Sequence, residues 1–459
     1  MSSVELQAIL ELMYSIEPGL GDKIKVDVVS EIYATSKEDE NFKKLYNPSP
    51  SRLTILHIPE GTTKIDNGAF EGCDGLTDVH FPDSLTTIGE DAFEGCTGLT
   101  EVHFPDSLTK IGDTTFQGCT GLIEIHFPDD SALTEIGVYA FKGCIGLTTL
   151  HFPASLTTIE DGAFENCTRL TEIHFPASLT TIGIGAFIDC TGLTDVHFPH
   201  DIALTTIEEN VFQDCTGLTE LHFPPSLTTI EGGAFQECTG LTEVHFPRDS
   251  TLTTIGDYTF YECTGLTEVH FPPSLVEIGE CAFFGCTGLT EVHFPYDSVL
   301  TIIEKEAFQE CTGLTELHFP PSLTEIEGDA FWGCSKLTKV NFPSNSALTE
   351  IESGTFVGCT GLTDVHFPDS LVKIGDEAFK GCTRLTTLHF PPSLVTIGHG
   401  AFDGCILLFE VYFSSELPSD ERGNRIHHDE IGEGAFNGWS SSEITRLQKT
   451  SPFGIFEID

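Results

Sequence analysis

From Cys96 to Cys119 the chain reads CTGLTEVHFPDSLTKIGDTTFQGC, with apolar side chains at Leu99, Val102, Phe104, Leu108, Ile111, Phe116 and Cys119. Around Val102 the pattern alternates: Glu101 and His103 are polar, Val102 and Phe104 are apolar, and Pro105 closes the run. A period of two over so few residues predicts a short β-strand followed by a turn. Ile111 marks a second short extended piece. The Phe116–Cys119 stretch predicts a tight helical turn that brings the chain back to its starting edge.

The same pattern returns again and again. Fifteen of the 16 cysteines fall in one register, from Cys73 and Cys96 to Cys382 and Cys405, with gaps of 23 or 25 residues. A fixed period of this size predicts stacked units, each too small to bury its own apolar face. The expected fold is therefore a mainly β repeat solenoid, a rod or arc with parallel strands stacked one per 23- or 25-residue coil. Sixteen strand segments at the usual strand spacing would span about 75–80 Å. Five longer coils carry two extra residues after the strand proline, at Pro128, Pro199, Pro247, Pro295 and Pro343, and these map to one edge. The boundaries predicted are a helical N-terminal cap over 1–49, the solenoid over 50–413, and a polar insertion, degenerate last repeat and C-terminal cap over 414–459.

Charge adds a constraint on partners. The chain of 459 residues has 71 acidic side chains against 21 Lys and Arg, a formal charge of -50. Such a surface is repelled by nucleic acid and by anionic lipid. It is not a disordered acidic chain, because 39% of its residues are hydrophobic and 36 are Phe. The cysteines form no CxxC pair, so zinc-ribbon spacing is absent and reduced thiols are expected. The opening MSSVELQAILELMYSIEP has no basic segment and no uninterrupted apolar core. With no stretch long enough to span a membrane, an intracellular, cytoplasmic location without membrane insertion is the expectation.

The unit LTEVHFPDSLTKIGDTTFQGC resembles the BspA-type leucine-rich repeats, which share an L-x-x-(V/I)-x-(apolar)-P stretch, then I-G and A-F-x-x-C. The resemblance covers roughly residues 50–439. It implies a leucine-rich-repeat fold, protein–protein recognition and, in secreted bacterial and protist members, adhesion.

In-register stacking turns each repeat position into a column. The residue between Val102 and Phe104 is histidine in fourteen of sixteen coils, including His103, His245, His270 and His293, with Asn341 and Tyr412 as the exceptions. Two residues earlier lies an acidic column, including Glu101, Glu243, Glu268 and Glu291. Both are expected to face outward on one sheet surface as a strip of imidazoles flanked by carboxylates. Three readings stay open: a solvated face of paired His and acid, a weak and multiple divalent-cation surface, and a pH-responsive surface. The cysteine column reads as small buried hydrophobes. Cys281 lies outside that register, at a position polar in most coils, and is a candidate exposed thiol. One coil departs from the rest, placing Trp332, Lys336, Lys339 and Asn341 within an acidic array as a candidate recognition spot.

Phosphate-loop, nucleophile-elbow and HExxH signatures are missing. The function expected is a non-enzymatic protein-interaction scaffold without a cofactor. It would use the acid- and His-lined strand face and the insertion edge to hold a protein partner with a basic surface. The rival reading is an acidic cation- or pH-responsive surface or adhesion protein.

Overall fold

A computed structural model describes residues 54–413, apart from residue 59. The expected helical cap over 1–49 and the C-terminal segment 414–459 lie outside the described residues. The chain divides into two compact units, Met1–Leu193 and Thr194–Asp459.

Both units repeat one coil. In the first unit a three-residue strand such as Glu101–His103 leads through a proline turn to a two-residue strand, Lys110–Ile111, and then to a run of turns ending at Cys119. Neighbouring coils pair in parallel and in exact register, as in Glu101↔Glu124, Val102↔Ile125 and His103↔His126. In the second unit Glu243↔Glu268, Val244↔Val269 and His245↔His270 pair the same way although 25 residues separate them. The two extra residues are therefore absorbed in the proline turn. There a buried serine accepts the backbone N–H two residues on, as Ser250 Oγ does from Leu252 at 3.2 Å.

The turn run after Ile111 is not the helical turn predicted from sequence. The coils place a left-handed residue just before the Ala-Phe, Thr-Phe or Val-Phe pair and a second one four residues later, for example Asp91 (φ 54°) and Gly95 (φ 68°). A left-handed residue at that interval breaks a right-handed helix. The backbone N–H groups then alternate in their partners. Those of Asp91, Phe93 and Gly95 donate to Asp113, Thr115 and Gln117 of the next coil, while those of Ala92, Glu94 and Cys96 turn back three residues. Half of the turn's donors thus serve as a ladder between coils.

The core is built of columns. Phe93, Phe116 and Phe141 stack with ring centroids 5.3 and 5.2 Å apart and planes within 5°. A second column, including Phe104, meets the first edge-on, as in Phe104–Phe116 at 5.9 Å. The second unit repeats this from Phe212 and Phe235 onward. Exposed threonines beside the strands also run as ladders between coils. Thr242 Oγ1 donates to the Thr219 carbonyl at 3.0 Å, Thr267 to Thr242 at 3.2 Å and Thr290 to Thr267 at 3.1 Å.

The cysteine column is more than small hydrophobe. Cys119 Sγ donates to the Phe93 carbonyl of the previous coil at 3.2 Å, and Cys263 Sγ to that of Phe235 at 3.2 Å. Alanine would fill part of that space but leave the contact unmade. Burial pushes the thiols of Cys167, Cys190 and Cys263 up, Cys190 to about 12. The thiol form is the nucleophilically inert one, so these three are chemically silent at neutral pH. All 16 cysteines are free, and Cys73 alone is half-buried.

Two outcomes are expected. In the native protein a thiol-reactive chromogenic reagent should label Cys73 at most, slowly because burial and Asp74 push that thiol up to about 11; full labelling should need denaturant. Phe260→Ala should cost about 3–5 kcal/mol in denaturant unfolding, as expected for an aromatic deleted from a packed core.

Candidate functional site

Strand side chains alternate faces, so burying Val102, Val244, Val269 and Val292 turns the residues on either side outward. Glu101 and His103 are exposed, as are Glu268 and His270; Glu243 and Glu291 are exposed, with His245 and His293 half-buried. The strip of acid and imidazole is thus one face of the sheet in each unit, with the candidate residues Glu101, His103, Glu243, His245, Glu268, His270, Glu291 and His293 on it.

Within these four strands the His leans toward the acid two residues before it. The Nε2-to-carboxylate distance is 3.7 Å for His103–Glu101, 3.3 Å for His245–Glu243, 3.6 Å for His270–Glu268 and 3.1 Å for His293–Glu291. Between strands the imidazoles do not form one even stack. They pair. His57–His80, His103–His126, His222–His245 and His270–His293 stack with centroids 4.2–4.5 Å apart and planes within 11°. Each of these pairs is separated by 23 residues in sequence. The alternation of coil lengths was the sequence signal for this pairing in the second unit, and sequence reading passed over it. Three sets bring ligand atoms within 4.8 Å of one another inside a unit: Glu101, His103 and His126; Glu220, His222 and His245; Glu268, His270 and His293.

The irregular coil is divided. Lys339 and Asn341 lie on the strand face, half-buried, with Lys339 in register between Glu316 and Asp364 and Asn341 between His318 and His366. A lysine between two carboxylates lowers the repulsion within the acidic column. Trp332 lies instead in the turn run, half-buried, where its carbonyl accepts from the Glu310 N–H at 2.7 Å; Lys336 is exposed in the connection between them. Missed by sequence reading, the turn column that contains Trp332 also holds Tyr261 and Phe284, stacked at 5.0 Å.

Cys281 is not an exposed thiol. It is only 4% exposed, and it occupies the left-handed turn position (φ 54°). Its Sγ lies 3.6 Å from Glu306 Oε2 of the next coil, and burial with that carboxylate pushes the thiol up to about 12. A turn position that reads as polar along the chain is covered here by the side chains of adjacent coils.

Acidic crowding has an address at the edge where the turn run begins. Glu304 Oε2 accepts the Glu280 N–H at 3.0 Å. Burial, then the hydrogen bond and charge of Glu277, raise the Glu304 carboxyl to about 7. Glu160, Glu231 and Glu352 on the same column are also raised, first by burial and then by neighbouring acids.

Stacked short parallel strands, an outward polar ladder and a Leu, Ile, Phe and Cys core in every coil define a leucine-rich-repeat β-solenoid. The sequence model of the BspA type leucine-rich repeat region matches residues 44–168, 134–251, 234–359 and 349–451, and the chain belongs to that family. A leucine-rich repeat protein from Bacteroides ovatus is 29% identical over 84% of this chain and 84% of its own, with a TM-score of 0.59. A leucine rich cell surface protein from Faecalibacterium prausnitzii is 25% identical over 81% of this chain and 93% of its own, with a TM-score of 0.39. No curated protein matches the chain. Leucine-rich-repeat proteins are typically protein-interaction scaffolds or surface proteins, and the fold is generally a non-enzymatic repeat scaffold. Among the described residues no helix is long and apolar enough to cross a membrane.

The acid edge makes stability depend on pH. Glu304 titrates near 7 when folded against an ordinary value of 4.5, so the folded state holds a proton that the unfolded state releases. That contribution is complete below the ordinary value and is lost as pH rises through about 7. Glu304→Gln should therefore melt with the parent near pH 4.5 and above it at pH 8. After discounting for solvent screening, the gain should be on the order of 0.5–1 kcal/mol, read by thermal denaturation at the two pH values.

Proposed function

We propose that the protein is a non-enzymatic scaffold whose strand face holds a protein partner bearing a basic surface. The supporting observation is the outward ladder of carboxylates and imidazoles, exemplified by Glu243, Glu268 and Glu291 in successive coils of the second unit. Core packing does not require acids at these positions, since their side chains are exposed. Like charges directly opposite one another in a sheet are unfavourable. A basic partner would remove that repulsion on binding and would be steered toward the face from a distance. The insertion edge, where Tyr296 is 96% exposed beside Asp297, supplies side chains that vary from coil to coil and could set which partner is chosen.

The test is affinity capture from native cell extract at low salt on the immobilised full chain. It is run beside a Glu243→Lys, Glu268→Lys, Glu291→Lys triple variant with an unchanged melting curve. The expected result is a protein retained by the parent, released as salt rises, and lost from the variant by at least about tenfold in affinity, a loss of roughly 1.4 kcal/mol. Equal retention by the variant, or no enriched protein at all, would refute the assignment of this face.

A further inference from the structure

We infer that Glu220, His222 and His245 form a zinc-class metal site on the strand face, and that the trios at Glu101, His103, His126 and at Glu268, His270, His293 repeat it. This inference stands apart from the protein-binding reading and requires no partner.

The stacked pair His222–His245 has its rings 4.5 Å apart and 10° from parallel. One oxygen, Glu220 Oε1, lies 2.7 Å from His222 Nε2 and 3.0 Å from His245 Nε2, and Glu243 Oε2 lies 3.3 Å from His245 Nε2. Two nitrogens and the Glu220 carboxylate therefore converge on one spot, with Glu243 beside His245. The His245 Nε2 atom is closed off from solvent and has no aligned hydrogen bond, despite its short distances to both carboxylates. A ring nitrogen set beside two carboxylates without a well-aligned bond to either is weakly satisfied. A cation held by the two imidazoles and Glu220 would complete it.

The chemistry selects the ion. Two neutral imidazoles with carboxylates suit zinc and its neighbours in the first transition row, whereas calcium and magnesium call for oxygen ligands alone. Tetrahedral zinc with bonds of about 2.0–2.2 Å sets its donors roughly 3.3–3.6 Å apart. The ligand atoms of Glu220, His222 and His245 already lie within 4.8 Å of one another, so only a small inward shift separates them from that spacing. Two carboxylates balance the charge of the ion.

The three trios each have glutamate two residues before the first His of a stacked pair: Glu101, Glu220 and Glu268. The equally well stacked pair His57–His80, at 4.3 Å and 4°, has Ile55 there and forms no such set.

The experiment titrates chelator-stripped full-length protein with zinc chloride against a chromophoric chelator, with cobalt(II) absorption as a report on coordination. The expected result is micromolar zinc binding with a tetrahedral cobalt spectrum. Glu220→Gln with His245→Gln should lose one equivalent, and Ile55→Glu should gain one, with melting curves of the unmetallated proteins unchanged. Stoichiometry unmoved by either variant, no zinc bound at micromolar levels, or calcium competing equally with zinc would overturn the proposal.

Discussion

Register between coils is the constraint on which everything else in this protein rests. Each coil gives part of its backbone hydrogen bonding to its neighbours, both through the short parallel strands and through alternate N–H groups of the turn run. A slip of one residue would exchange the buried Val102 or Val244 with exposed carboxylates and imidazoles. It would also separate Phe93 from Phe116 and Cys119 from the Phe93 carbonyl. The same period that fills the core therefore fixes which side chains can meet at the surface.

Stacking has an electrostatic consequence. A surplus of acid in one coil stands directly beside the same surplus in the next, as Glu101 does beside Glu124 and Glu243 beside Glu268. The structure softens this in several ways. Histidines lean on the acids of their own strand, and Lys339 interrupts the acidic column between Glu316 and Asp364. Lys110 pairs with Glu135 of the next coil at 2.5 Å, and Lys373 with Glu350 at 2.5 Å. At Glu304, burial and the neighbouring Glu277 instead raise the carboxyl to about 7. The charge of -50 is thus a repeated local condition whose balance differs from coil to coil.

Much of the fold was legible because the core reads the period directly. The alternation around Val102 marked the strand, Ile111 marked the second extended piece, and the single cysteine register excluded a disulfide framework. The turn run was misread as helical because the Ala-Phe and Gly-Cys positions have helical spacing. Their left-handed residues are often Asp, Glu or Tyr rather than Gly, so composition gives little warning. Cys281 was misjudged for a related reason: exposure at a turn position depends on what the coils above and below place over it, here Tyr258 and Glu306.

The sequence by itself determined the repeat, the core columns and the outward placement of acid and histidine, because those follow from period and alternation within a single coil. Only the tertiary structure decided how neighbouring columns meet. It split the histidines into stacked pairs, aimed His222 and His245 at one oxygen of Glu220, and closed the His245 Nε2 atom off from water. Those outcomes depend on side-chain rotation across a strand spacing of about 5 Å, where small differences between coils decide which groups touch. The linear pattern sets which residues are neighbours; packing in three dimensions sets what they do to one another.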